Sequence, residues 1–194
     1  MPNWCYSSYV IEGNKKEVRS LYSKMNRLER RKTPLEKSDF GITWLGCLVT
    51  ILGADWKEVY CRGSWNGLDF DGNIVRFNTE TANEPMNEVF KLIKSKYPSL
   101  KIYYSAEEEG NCIFVTNDEE GKYFTDRYRV ETDWGIEYYA TIDGVCNHVS
   151  NCIKKVVRDE KELKAAIEDW NDNVDDMDAR IYLNEFKVVK DEYL

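Results

Sequence analysis

The residues of this chain that could do covalent or metal chemistry are few, and one histidine lies at their centre. His148 is the only imidazole, and it lies between Cys146 and Cys152 in the pattern Cys-x-His-x-x-x-Cys. Nucleophilic catalysis by a Cys–His pair needs a third group that orients the imidazole. As zinc ligands the three residues match no common structural spacing, and no fourth ligand is evident nearby. We expect His148 in an ordinary connecting segment, with a metal site as the weaker alternative, and assign no catalytic residue.

Three consecutive glutamates form the second candidate, an acidic cluster of Glu107, Glu108 and Glu109. They stand between a predicted strand and Gly110, which is typical of a solvated hairpin tip whose charge discourages edge pairing. The alternative is a metal-assisted hydrolase, and it requires a further carboxylate from a neighbouring strand, such as Glu80 or Asp126. We expect the hairpin tip, with no metal and no cofactor.

A basic segment near the amino terminus is the third candidate. The whole chain carries a net charge of −8, yet residues through Trp56 hold nine basic and six acidic side chains. The excess lies in segment 24–37, and its candidate interaction residues are Arg27, Arg30, Arg31 and Lys32. Cations are favoured at a helix carboxyl terminus, and charged runs of this kind usually face solvent. The alternative is a partner-binding or phosphate-contacting patch.

Nucleotide-binding loops are absent from the sequence, which contains neither GxxxxGK[ST] nor GxGxxG. Aromatic residues on predicted strands could stack bases, but the basic, glycine-rich signature of an RNA recognition motif is missing. An acidic domain also repels phosphate. We expect these aromatic side chains to pack in the core, and we do not expect nucleic acid as the partner.

Hydrophobic periodicity in the second part of the chain predicts the elements that position these residues. A helix is predicted between Pro85 and Pro98, and a second helix follows Asp159, which forms a capping box with Glu162. Alternation predicts strands at 74–80, 101–106, 112–116, 122–130, 134–142 and 180–189. This order predicts an α+β fold: a ferredoxin-like antiparallel sheet (β-α-β-β, added strands, α-β) with its helices on one face.

The first part of the chain predicts a smaller β-α-α-β arrangement. A strand at 3–12, a helix capped by Asn14, a buried helix within 42–52 and a short strand at 58–61 follow one another. Segment 63–67, Gly-Ser-Trp-Asn-Gly, has the composition of a linker. The sequence therefore predicts two domains, residues 1–66 as a small α/β lobe and residues 67–194 as the ferredoxin-like domain.

Several short motifs, weak singly and fairly specific together, cover about a third of the chain. The motifs are Asn3-Trp4-Cys5, Phe77-x-Thr79, Pro85 opening a helix that ends in Tyr97-Pro98-x-Leu100, Glu108-x-Gly110, Thr116-Asn117-Asp118-x-x-Gly121-x-Tyr123-Phe124 and Arg127-Tyr128. Together they resemble a family of uncharacterised YubB-like proteins with a ferredoxin-like domain. The resemblance implies a ferredoxin-like fold and an origin in bacterial plasmids, phages or integrated elements. It brings no established catalytic residues.

Composition gives the remaining expectations. With 42% hydrophobic and 13% aromatic residues the chain can bury a sizeable core. No apolar run approaches the roughly 18 residues of a membrane span, and the start lacks a secretory signal. The six cysteines form no CxxC pair, which predicts reduced thiols, mostly buried, in a cytoplasmic protein. We expect a non-enzymatic interaction or accessory module with a protein partner; the identity of the partner and the oligomeric state stay open.

Overall fold

The computed structural model describes residues 2–176 and 179–190, and the chain divides into two compact units. The first unit runs to Glu119 and includes the chain from Val188 onwards, and the second is Glu120–Lys187. The described part is mixed α+β, with five α-helices, a six-stranded sheet and a three-stranded sheet. In chain order the elements are β1 (Trp4–Glu12), α1 (Lys15–Glu29), a 3-10 turn (Gly41–Thr43), α2 (Leu45–Ile51), β2 (Gly63–Asp71), β3 (Ile74–Ala82), α3 (Asn87–Lys96), β4 (Lys101–Glu108), β5 (Ile113–Thr116), β6 (Tyr128–Thr132), β7 (Gly135–Tyr139), α4 (Ile142–Ile153), α5 (Glu160–Asn173), β8 (Tyr182–Glu185) and β9 (Lys187–Val188).

The six-stranded sheet has the strand order β2-β3-β1-β4-β5-β9, and β1 pairs antiparallel with both β3 and β4. Tyr9 in β1 therefore lies opposite Phe77 on one side and Tyr104 on the other. The ring of Phe90 from α3 stacks on Tyr9 at a centroid distance of 4.0 Å. This aromatic packing joins the sheet to α3. It lies within the hydrophobic core of the first unit, which we call the first core.

Helix α1 forms where the sequence predicts it. The Asn14 side chain accepts a hydrogen bond of 2.9 Å from the backbone N–H of Lys16, which caps the helix. Its buried side chains recur every three or four residues and face the first core: Val18, Leu21, Met25 and Leu28. The buried helix expected within 42–52 is also confirmed, as α2.

The segment 58–67 differs from expectation. Residues 58–61 form no strand, and the predicted linker 63–67 is part of β2, which pairs with β3. Trp65 is fully buried in this strand, and a Cβ at Gly63 would lie 2.3 Å from the Glu80 carbonyl oxygen. The glycine is thus needed for close strand contact rather than for a flexible connection.

The three-stranded sheet of the second unit has the order β7-β6-β8 and is covered on one face by α4 and α5. Asp159 caps α5 as predicted, because its carboxylate accepts a 2.8 Å hydrogen bond from the N–H of Glu162. Three other predictions need correction. Helix α4 replaces the connecting segment expected around His148, the strand expected at 122–130 begins only at Tyr128, and the strand expected at 180–189 is divided into β8 and β9.

The expected domain boundary between residues 66 and 67 does not coincide with the two units, which divide at Glu119 and Glu120. The reason is the position of β1. Since β1 lies between β3 and β4, residues 4–12 belong to the same sheet as residues 74–108. The strands after residue 67, expected in one sheet, are divided between two.

The cysteines agree with the prediction of reduced, mostly buried thiols. All six are free, and Cys5, Cys47, Cys61 and Cys146 are buried. Cys152 is half-buried and Cys112 is exposed. Among the helices that the structure describes, none combines the length and the apolar character required to cross a membrane.

Candidate functional site

The acidic cluster does not converge on one point. Glu108 is buried, and its carboxylate accepts hydrogen bonds from the N–H groups of Gly110 at 2.6 Å and Asn111 at 2.8 Å. Strand alternation places Glu107 on the opposite face of β4, where Tyr6 separates it from Glu80. Over residues 2–176 and 179–190, no group of three or more acidic, cysteine or histidine side chains could hold a metal ion. The geometry therefore gives the hydrolase alternative no support.

The four basic candidates lie around the carboxyl end of α1. Arg27 is in its last turn and Arg30 is its C-cap, and both side chains are exposed, as is that of Lys32. Arg31 is half-buried and donates from Nε to the carbonyl oxygen of Thr33 at 3.1 Å. No carboxylate of the described residues forms an ion pair with these four cations. They form a basic, solvent-facing surface.

A histidine-centred arrangement that the sequence analysis missed lies in the second unit. His148 and Cys152 are one turn apart on α4, with Nε2 of His148 at 3.4 Å from Sγ of Cys152. The other ring nitrogen, Nδ1, lies 3.6 Å from Oε2 of Glu137 on β7. Thiol, imidazole and carboxylate thus follow one another in the order used by cysteine nucleophiles. The i, i+4 spacing of His148 and Cys152 was the available signal, and it has meaning only once α4 is recognised as a helix.

The electrostatics around Cys152 oppose its activation as a nucleophile. Burial, followed by the nearby carboxylates Asp133 and Glu137, raises the pKa of the Cys152 thiol. The residue also lies in the last turn of α4, where the helix dipole disfavours an anion. Reactive cysteines need the opposite surroundings, such as a helix amino terminus or a neighbouring cation. The arrangement has the residue order of a catalytic relay, but His148 and Glu137 lie beyond hydrogen-bond distance and the thiol is not activated.

The second unit also carries what we call the exposed aromatic face, formed by Trp134, Ile136, Tyr138 and Tyr182. Trp134 lies in the turn between β6 and β7 and is 71% exposed, and the other three are each more than 40% exposed. Glu131 of β6 pairs with Ile136 of β7 and with Tyr182 of β8, so these three side chains lie on the same face of the sheet. Tyr138 lies two residues after Ile136 on β7 and shares that face. The helices α4 and α5 cover the opposite side, which carries Val130 and Leu183.

Charge near the exposed aromatic face is mainly negative. Glu131 accepts a hydrogen bond of 2.9 Å from the buried guanidinium of Arg129, and Asp133 adjoins Trp134 in the turn. Residues 120–187 hold sixteen acidic and ten basic side chains, a net charge of −6. The face is therefore apolar in its large side chains and acidic in its surroundings.

Comparison of the chain with family models, with curated proteins and with solved structures finds no match. The function must accordingly be inferred from the residues and their geometry.

Proposed function

We propose that this protein is a non-enzymatic interaction module and that a protein partner binds its exposed aromatic face. The observation that carries the proposal is the exposure of four large apolar side chains on β7, β8 and the turn between β6 and β7, including a tryptophan that is 71% exposed. Large apolar side chains grouped on an exposed surface are uncommon on soluble domains and mark binding surfaces. Tryptophan and tyrosine are also the residues that most often dominate binding energy at interfaces.

The surroundings of the face indicate the chemistry of the partner. Because the second unit has a net charge of −6, complementarity favours a partner segment with basic as well as apolar side chains. Strand β7 lies at the edge of its sheet and carries Ile136 and Tyr138. An edge strand can accept an extended segment through main-chain hydrogen bonds. We therefore propose a basic, apolar segment that binds in extended conformation along β7.

The first unit supports a finer proposal about fold. Apart from the additional helix α2 between α1 and β2, the order β1-α1-β2-β3-α3-β4 with the sheet order β2-β3-β1-β4 is the arrangement expected of a ferredoxin-like β-α-β-β-α-β unit. This unit would occupy residues 4–108 rather than the region after residue 67. Together with the YubB-like motifs, it underlies our proposal that the protein is an accessory module of a bacterial mobile element. Six free cysteines support a cytoplasmic location.

The experiment places a photo-reactive side chain at position 134 and, as a control, at the exposed position 161 on α5. In the source cell we expect a discrete covalent adduct with one protein from position 134 and none from position 161. The double variant Trp134→Ser with Tyr138→Ser should lose affinity for the purified partner. Val156→Ser should retain it, because Val156 is also highly exposed but lies outside the three-stranded sheet. An adduct between two copies of this chain, or no adduct, would contradict the proposal.

Nucleic-acid binding by segment 24–37 is a second candidate, favoured by one observation. Arg27, Arg30 and Lys32 are exposed and form no ion pair with a described carboxylate. Binding through these cations would weaken steeply as salt increases, since counterions are released from the nucleic acid. Replacing the three by glutamine should then reduce the salt dependence. Affinity that does not change with salt would exclude this candidate.

A further inference from the structure

A concave surface lies in the first unit, and four of its nine lining residues are aromatic. The cavity has a volume of about 560 Å³, within the range of about 300–1,000 Å³ that small-molecule sites occupy. We call it the aromatic pocket; its lining residues are Phe40, Trp44, Trp56, Lys57, Glu58, Val59, Tyr60, Cys61 and Arg62. Four rings in one cavity of this size provide surfaces on which a planar ligand could stack.

Buried contacts hold the innermost ring in place. Trp44 donates a hydrogen bond of 2.9 Å from Nε1 to the carbonyl oxygen of Cys61, and its ring contacts that of Trp56 edge-on at 5.0 Å. The ring lies over the first turn of α2, at Gly46, where any Cβ would come within 2.5 Å of it. Residue 46 is glycine because this approach leaves no room for a side chain. The inner wall of the pocket is therefore preformed.

The rim of the aromatic pocket carries two cations and one carboxylate. Lys57 and Arg62 are exposed, and neither is ion-paired with a carboxylate in the described part of the chain. The ammonium of Lys57 lies 5.7 Å from the ring centroid of Trp56. A cationic ligand would have to compete with this ammonium for the ring and would be repelled by Arg62. An anionic group on the ligand would be attracted to both side chains and repelled by Glu58, which leaves a balance of one positive charge at the rim.

We propose that the aromatic pocket binds a small planar aromatic anion of the size of a nucleoside monophosphate. Its ring would stack against the aromatic wall, and its anionic group would meet Lys57 and Arg62 at the rim. A compact anion fits this chain better than a long polyanion, because the net charge of −8 repels a polyanion as a whole. The pocket and the exposed aromatic face belong to different units, so failure of one proposal leaves the other standing.

The test is calorimetric titration at low ionic strength with adenosine monophosphate, adenosine, inorganic phosphate and choline. We expect adenosine monophosphate to bind, adenosine to bind more weakly, and phosphate alone not to bind. The pocket variant Lys57→Glu with Arg62→Glu should lower the affinity for adenosine monophosphate about fivefold or more, as expected for the loss of exposed charge pairs. The control Lys15→Glu with Lys16→Glu makes the same change of net charge at the first turn of α1 and should leave the affinity nearly unchanged.

A single-stranded oligonucleotide as a further probe distinguishes the source of the ligand. We expect it to bind more weakly than the mononucleotide; if it binds more tightly, the ligand is a polyanion and the proposal of a compact anion is overturned. Tighter binding of choline, equal loss of affinity in both double variants, or no binding of any probe would overturn the proposal. Thermal unfolding of each variant checks that its fold is intact, so that a loss of affinity reports on the pocket.

Discussion

Sγ of Cys152 lies 3.4 Å from Nε2 of His148, yet the thiol stands in the last turn of α4 and faces carboxylates rather than cations. Because its pKa is raised, Cys152 holds little thiolate at neutral pH. We predict that iodoacetamide at about pH 8 alkylates Cys152 more slowly than the exposed Cys112. Peptide mass spectrometry at several reaction times measures both rates. In urea the difference should disappear, because unfolding exposes both thiols. Faster reaction of Cys152 in the folded protein would mean an activated nucleophile and an enzyme.

The aromatic centre of the first core gives a second prediction. Tyr9 is 1% exposed and stacks with Phe77, Phe90 and Tyr104, and its buried hydroxyl lies near the side chains of Ser7 and Thr79 without meeting hydrogen-bond geometry with any group in the described part of the chain. Tyr9→Phe removes that unsatisfied group, so the free energy of unfolding should stay the same or rise by up to about 1 kcal/mol. Tyr9→Ala should lower it by about 3–5 kcal/mol. Urea denaturation measures both, and a loss above about 1 kcal/mol in Tyr9→Phe would reveal a hidden partner of the hydroxyl.

Gly46 gives a third prediction, in which two effects oppose each other. Alanine is favoured over glycine inside a helix by about 1 kcal/mol. At this position, however, the new methyl group would lie 2.5 Å from the Trp44 ring and displace it, which typically costs about 1–3 kcal/mol. We expect Gly46→Ala to be destabilised and to show altered near-ultraviolet circular dichroism. Lys91→Ala on the exposed side of α3 is the control and should stay within about 0.5 kcal/mol of the parent. A more stable Gly46→Ala variant would contradict the packing of Trp44 over α2.

The elements that the sequence predicts correctly are those whose local sequence signals agree with their burial in the fold. In α1 the Asn14 cap and the apolar stripe both predict a helix over the same residues. In α5 the Asp159 cap and the apolar stripe do so as well. Strands β3 and β4 show alternating burial, which matches the alternation of their residue types. Where the local preference and the burial pattern indicate the same structure, the sequence is sufficient to predict the helix or strand.

The elements that the sequence misses are those whose local composition contradicts their structure. Helix α4 is rich in β-branched, glycine and asparagine residues, which are poor helix formers. It forms because Val145 and Val149 pack in the hydrophobic core of the second unit. Strand β2 contains Gly63 and Gly67 and an irregularity between Asn66 and Asp69 that interrupts its alternation. Tertiary packing overrides propensity in both, and for the same reason the sequence does not show that His148 and Cys152 lie one helical turn apart.

Exposure is the property of the candidate site that the sequence does not contain. Residues 134–138 alternate as a strand should, and the pattern places Trp134, Ile136 and Tyr138 together. The pattern cannot say whether that set faces a core or solvent, since a buried face has the same composition. Only the position of α4 and α5 on the opposite side decides that these residues stay exposed. The aromatic pocket likewise depends on side chains from two segments, one just before α2 and one between α2 and β2, that only the folded chain brings together.

The buried thiols of the first unit predict how its stability depends on pH. Burial raises the pKa of Cys5 and Cys61 to about 11 in the folded protein, against about 8.5 for an exposed thiol. Between these values the unfolded chain has lost protons that the folded chain retains, so the free energy of unfolding falls as pH rises. The contribution is fully present below about pH 8.5 and is lost towards about pH 11, with a limiting slope of about 1.4 kcal/mol per pH unit for each thiol. Urea denaturation at about pH 8, 9 and 10 should show this fall. Cys61→Ala should make it shallower, whereas Cys112→Ala, at an exposed position, should not; equal slopes in the parent and Cys61→Ala would contradict the assignment.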